Sequence, residues 1–227
     1  MGQVGNRIHL SIERPPRELV EKFREARTPD LTDAMNRSGG MREIYPTYTP
    51  IPKCVGPAIT VKVQPGDALM VQKAVSIAEP GDVIVIDGRG LISRSVWGGV
   101  RSAFAAYKGI AGVIIDGATR DVDETKAAGL PIFARAITTM GSVWSSTGEI
   151  NYPVACGGVV VNPGDIVVAD DLGIVVIPRQ DAEDVYNAWR KIVDYEETMH
   201  SDAQVGRQNG ADEVEQLLIK LGCEVTP

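Results

Sequence analysis

Two short stretches of this chain carry residue types that could act on a small acid. The first is Arg120-Asp121, closing the run Asp116-Gly117-Ala118-Thr119-Arg120-Asp121. An arginine offers a planar fork that matches a carboxylate. The adjacent carboxylate can hold a hard divalent cation through oxygen. An anionic 2-oxo acid calls for both, a fork for its carboxylate and a Lewis acid for its keto oxygen. The plainer alternative is a loop ion pair between surface charges, and residue types alone leave both open. Asp123 and Glu124 would help a metal site, or equally supply favourable negative charge to the first turn of a following helix.

The second stretch is Trp97-Gly98-Gly99-Val100-Arg101. Glycine lets a ligand approach the backbone closely, and the first N–H groups of a helix have no internal partner. A helix opening here would present a small cradle for a carboxylate or phosphate. Tight helix–strand packing is the alternative reason for the two glycines.

These stretches need elements to place them. Val83–Asp87, Gly112–Asp116 and Ile132–Ala134 read as strands. Between them lie a helix ended by Gly109, with Val100, Ala103, Phe104 and Tyr107 on one face, and a short helix over 122–128 ended by Gly129. That rhythm is a βαβαβ unit with parallel strands. Both candidate loops then emerge at the carboxyl ends of strands, where ligands gather in such sheets. Further strands are predicted at 58–63, 159–161, 166–168 and 174–177, several apolar at every position and so expected to be buried on both faces. Leu19, Phe23 and Ala26 mark an N-terminal helix, and a second follows Pro29 until Gly39-Gly40 stops it. Residues 181–222 form two helices, the first marked by Val185, Trp189 and Ile192, the second by Val214, Leu217, Leu218 and Leu221. Three Pro-Gly-Asp triplets, at 65–67, 80–82 and 163–165, are turn signals. The chain is expected to be a single domain over 1–227, with an α/β core over 30–178 and a C-terminal helical extension over 181–222.

Composition narrows the function classes. Of 227 residues 44% are hydrophobic and 23% charged, a globular balance that needs no disulfides to replace a core. The net charge of −7 gives no support to nucleic-acid binding. Cys54, Cys156 and Cys223 form no CxxC pair and are read as buried small hydrophobes, and Trp97, Trp144 and Trp189 as core. His9 and His200 lie near opposite ends, which argues against histidine chemistry. No phosphate-binding GxxxxGK[ST], GxGxxG or GxSxG pattern occurs in its required context. No apolar run approaches the ~18 residues of a membrane span, and the first residues lack the apolar core of a signal peptide, so a cytoplasmic setting without membrane contact is expected.

Trp97-Gly98-Gly99 followed by Gly112-Val113-Ile114-Ile115-Asp116-Gly117-Ala118-Thr119-Arg120-Asp121 resembles the family named after regulator of ribonuclease activity A. That family includes class II 4-hydroxy-4-methyl-2-oxoglutarate / 4-carboxy-4-hydroxy-2-oxoadipate aldolases, which also decarboxylate oxaloacetate. The resemblance runs from about Thr32 to Pro178. It implies a swivelling-domain-like α/β sandwich assembled as homotrimers or homohexamers with sites at subunit boundaries. It further implies that Arg120 binds the pyruvyl carboxylate or keto group, that Asp121 ligates Mg²⁺ or Mn²⁺, and that the backbone amides from Gly98 through Val100 to Arg101 hold the substrate carboxylate.

One position departs from the family. Where aldolase members carry an acidic residue, this chain has Gly99. The resemblance therefore implies a pyruvate-forming, metal-dependent lyase shifted toward decarboxylation, with Arg101 free to meet a second anionic group. Two other readings are carried alongside: a non-catalytic regulator of a ribonuclease or helicase, and a related metal-dependent lyase or dehydratase acting on another hydroxy acid.

Overall fold

A computed structural model of the chain describes residues 3–207 and 210–224. In chain order its strands are β1 (Arg7–Ile8), β2 (Tyr45–Pro46), β3 (Cys54–Lys62), β4 (Val83–Asp87), β5 (Ser95–Trp97), β6 (Gly112–Thr119), β7 (Ile132–Ile137), β8 (Glu149–Ile150), β9 (Val154–Cys156), β10 (Val159–Val161), β11 (Ile166–Asp170) and β12 (Gly173–Ile177). The helices are α1 (Arg17–Lys22), α2 (Thr28–Ala34), α3 (Leu69–Ile77), α4 (Gly99–Lys108), α5 (Val122–Ala127), α6 (Ala182–Gln204) and α7 (Ala211–Lys220). The chain forms two compact units, Met1–Trp189 and Arg190–Pro227.

The first unit is an α/β structure around a mixed sheet in the order β1-β8-β3-β4-β6-β7-β2. Its centre is parallel: β3, β4, β6 and β7 run side by side, with Ile86 opposite Ile115 and Asp87 opposite Asp116. The predicted βαβαβ unit is β4–α4–β6–α5–β7. Outside it the sheet turns antiparallel, through β11 on β3 and β12 on β11.

Alternate residues of the central strands enter two separate cores. Ile84, Ile86, Val113 and Ile115 pack with Val71, Ala74 and Val75 of α3 and Ala105 of α4. Val83, Val85 and Ile114 pack on the other face with Val167, Ala169, Ile174 and Val176. Side chains alternate across a strand, so a strand covered on both faces must be apolar throughout. That is why β4 and β6 read as unbroken hydrophobic runs.

Several local expectations are corrected. α1 ends at Lys22, although Leu19, Phe23 and Ala26 are all buried. α2 contains Pro29 within its first turn, where a missing N–H costs nothing. It stops before the glycines, because Asn36 and Arg37 take left-handed backbone at φ 59° and 62°. α3 has no counterpart in the sequence reading. The expected apolar face of α4 points outward: Val100, Phe104 and Tyr107 are 84%, 50% and 92% exposed, while Gly99, Ser102 and Ala105 face inward. Cys54 and Cys156 are buried, with the Cys54 thiol pushed up to about 12 by burial, but Cys223 is exposed. Trp97 and Trp189 are core residues, whereas Trp144 is exposed.

In the second unit, Val214, Leu217, Leu218 and Leu221 all retain solvent exposure. None of the helices among the described residues is long and apolar enough to cross a membrane.

Candidate active site

The two candidate loops meet at the carboxyl end of the parallel strands because β5 pairs with the last residues of β6. The backbone amide of Arg120 donates to the Trp97 carbonyl at 3.2 Å, and the Thr119 hydroxyl donates to the same oxygen at 3.4 Å. Below this seam, the buried Trp97 indole N–H donates to Ser102 Oγ at 2.9 Å, and Ser102 Oγ lies 2.8 Å from Thr125 Oγ1. One hydroxyl thus joins β5, α4 and α5.

Asp121 sits at the mouth of α5 with φ 54°, a left-handed conformation that Asp tolerates better than most residues. Its carboxylate does not cap its own helix. Instead Oδ2 reaches across to the first amide of α4, accepting from Gly99 N at 3.1 Å, and lies 3.2 Å from Arg120 Nε. The glycines answer to side chains as well as backbone. A Cβ on Gly98 would come within 2.7 Å of Asp121 Oδ2, and one on Gly141 within 2.8 Å of Arg120 Nη1. The space beside Gly99 is filled by Glu124, whose own Cβ would lie 2.7 Å from a Cβ added there.

These groups surround a pocket of about 160 Å³, small beside the ~300–1,000 Å³ of sites for drug-sized ligands. Gly98, Gly99, Val100, Arg101, Arg120 and Asp121 all line it, whereas Asp123 and Glu124, the other candidates for a metal site, do not. Four further residues line it: Ser95 and Ser142, which the sequence reading omits, and Trp97 and Trp144, which it gives to the core. Trp144 is placed by Asp67, which accepts from the amides of Ser145 and Ser146 at 2.8 Å each. That Pro-Gly-Asp turn therefore anchors a wall of the pocket. The other two close themselves, with Asp82 accepting from Glu79 N and Asp165 from Asn162 N. A Trp flanked by serines was the available signal.

Arg101 is the most unusual charge in the cavity. Its Nε donates to Gln72 Oε1 at 3.2 Å and its Nη1 to the Val96 carbonyl at 2.7 Å, both neutral acceptors. Its guanidinium carbon lies 5.5 Å and 5.7 Å from the ring centroids of Trp97 and Trp144. Burial, and then the charge of Arg120, lower its pKa to about 10.

Oδ2 of Asp121 is engaged, but no hydrogen bond reaches Oδ1. No group of three His, Cys, Asp or Glu side chains able to hold a metal occurs among the described residues. A single carboxylate suits Mg²⁺-type binding, in which water and substrate oxygens supply most of the shell; it does not make a dedicated protein cage.

Neighbouring features are structural. Asp116, ending the pairing with β4, is held by the Arg135 guanidinium and by Gly157 N at 2.8 Å. Asp87 is buried, which raises its pKa. A larger cavity of about 490 Å³ lies at the amino ends of the strands, but its Arg14 is already paired with Asp82 at 2.8 Å and Glu79 at 3.2 Å.

Comparison with known proteins adds independent findings. A family model described as RraA-like, Aldolase/RraA, matches residues 28–176. A protein of Halalkalibacterium halodurans, provisionally named a 4-hydroxy-4-methyl-2-oxoglutarate aldolase, is 40% identical over 177 residues, covering 77% of this chain and 83% of its own. The 4-hydroxy-4-methyl-2-oxoglutarate aldolase of Thermus thermophilus is 31% identical over 155 residues, covering 68% and 94%. Among solved structures, Streptomyces coelicolor RraAS2, described as an unusual member of the RNase ES inhibitor RraA protein family, matches with a TM-score of 0.77 at 28% identity, covering 84% of this chain and 99% of that one.

Proposed function

The chain belongs to the RraA-like family, and from that premise we propose that it is a divalent-metal-dependent carbon–carbon lyase that cleaves a 2-oxo acid to give pyruvate. The observation that carries this reading is the convergence of Arg120, Asp121 and the first amides of α4 on one small pocket. Aldolase names among its relatives support the reaction class.

Asp121 would hold Mg²⁺ or Mn²⁺ through Oδ1. When bound there, the cation supplies Lewis acidity toward the C1 carboxylate and the C2 oxygen. With the Gly99 amide engaged by Asp121, the amides of Gly98, Val100 and Arg101 orient the C1 carboxylate at the helix mouth. As the C3–C4 bond breaks, its electron pair delocalises to the C2 oxygen, and Arg120 stabilises the charge that develops there. Protonation at C3 then gives pyruvate.

Decarboxylation of oxaloacetate needs nothing more, since CO₂ leaves without a proton transfer. Retro-aldol cleavage also needs a base for the C4 hydroxyl proton. Position 99 offers none of its own, and Glu124, which fills the space beside it, is not among the pocket's lining residues. Decarboxylation is therefore the favoured branch.

The test is turnover of oxaloacetate and of 4-hydroxy-4-methyl-2-oxoglutarate by purified protein with Mg²⁺ or Mn²⁺. Arg120→Ala should lower kcat/KM for oxaloacetate by about 100–1,000-fold, the usual cost of removing one such donor. A fully active variant would remove the assignment, and faster aldol cleavage than decarboxylation would reverse the preference. A second reading, a regulator of a ribonuclease, is favoured by the likeness to RraAS2. It predicts no Mg²⁺-dependent binding of oxalate in calorimetry.

The same proposal includes self-association as a homotrimer or homohexamer. The exposed stripe of Val100, Phe104 and Tyr107 is the kind of apolar surface that marks an interface. Val100 also lines the pocket, so the rim of the site and this stripe are continuous.

A further inference from the structure

Arg101 stands in the most unfavourable place for a cation in this unit. It lies in the first turn of α4, where the helix dipole presents its positive end. It shares the pocket with a second guanidinium, Arg120, and Asp121, a carboxylate lining the same cavity, is engaged by Arg120 and Gly99. Its own hydrogen bonds go only to an amide oxygen and a backbone carbonyl, and Nη2 makes none. The rings of Trp97 and Trp144 stabilise the guanidinium through cation–π attraction but leave Nη2 without an acceptor. A guanidinium so desolvated and without an anionic partner is costly. An acidic group entering the cavity would offset these terms, because both guanidinium groups and the helix mouth attract it.

We propose that Arg101 is the specificity-determining residue of this pocket, receiving the distal carboxylate of the substrate and so selecting 2-oxo acids that carry an acidic group at both ends. This rests on the reading above, in which Arg120 and Asp121 hold the oxo-acid end. The fork geometry of arginine suits a planar carboxylate at close range, and the small volume brings the two ends of a short dicarboxylic acid under separate arginines. Two guanidinium groups and one carboxylate leave one positive charge in the cavity, and with a bound divalent cation the surplus is met better by a dianion than by a monoanion.

The experiment uses two five-carbon acids that differ only at the far end, 2-oxoglutarate and 2-oxopentanoate, titrated calorimetrically into the full chain with saturating Mg²⁺. The wild type is expected to bind the dicarboxylate about 10–100-fold more tightly, the span for a charge-assisted hydrogen-bonded pair. Arg101→Met should erase that preference, weakening the dicarboxylate about 10–100-fold more than it weakens 2-oxopentanoate. Arg101→Lys should restore part of it. Thermal melts confirm that each variant is folded.

Binding of both acids by the wild type without discrimination overturns the inference and leaves the lyase reading standing. Equal weakening of both acids in Arg101→Met also overturns it, because the side chain would then only shape the pocket. Failure of the wild type to bind either acid overturns the lyase reading and this inference together.

Discussion

The carboxylates at the ends of β4 and β6 illustrate how differently one residue type behaves a few ångströms apart. Asp116 is satisfied by a guanidinium and an amide. Asp87 is raised chiefly by burial, against a single backbone hydrogen bond from Arg89 at 3.1 Å. A carboxyl whose pKa is higher in the folded than in the unfolded chain favours folding while protonated, and loses that advantage as pH climbs from its ordinary value near 3.8 through the folded one. Asp87→Asn should therefore gain stability relative to wild type on going from pH 4 to pH 7, measured as the change in urea midpoint difference between the two. An unchanged difference would mean that Asp87 is not buried as charge. At this scale much of the site was legible. Arg120-Asp121 stood out because a charged pair after an apolar strand must sit at the strand's end. The neighbour of Gly99 was not legible, since what fills the space beside a missing side chain is a tertiary fact. Nor was the isolation of Arg101, which depends on Gln72 and Trp144 arriving from elsewhere in the sequence.

Among the elements, α4 carries the clearest lesson. Its apolar period gathers Val100, Phe104 and Tyr107 on one face, yet Gly99, Ser102 and Ala105 are the residues turned inward. Small residues let the helix lie close to α5 and the sheet, and the price of that closeness is an unpartnered large-residue stripe. Periodicity reports that two faces differ; it does not say which one meets the same chain. Ser102 holds this close approach. Ser102→Ala strips the buried Trp97 N–H of its acceptor and Thr125 of its partner. A loss of about 1–3 kcal/mol is expected in chemical denaturation, together with a higher KM as the mouth of α4 loosens. Native stability in this variant would show that the hydroxyl junction contributes nothing. The strand runs of the βαβαβ unit were legible because both faces are covered. Two-residue strands such as β1, β2 and β8 were not, because pairing partners rather than propensity define them.

For the molecule as a whole, the open question is what covers the stripe on α4. If self-association covers it, Phe104→Glu places a charge in that interface. Sedimentation or light scattering should then report a smaller species than wild type, with the fold retained in circular dichroism. An unchanged mass would exclude this face from any assembly. The sequence sets a helical extension over 181–222 apart from the core, but not the boundary at Trp189, which falls inside the unbroken helix α6.

The distribution of the three thiols has a practical side. Cys54 and Cys156 are sealed within the first unit and their thiols are held protonated by burial, whereas Cys223 faces solvent in the second. A maleimide dye at neutral pH should accordingly mark the natural chain at a single address, counted by intact mass before and after unfolding. The wild-type protein then comes with a ready handle for fluorescence, one that reports on its terminal helices without any engineered cysteine.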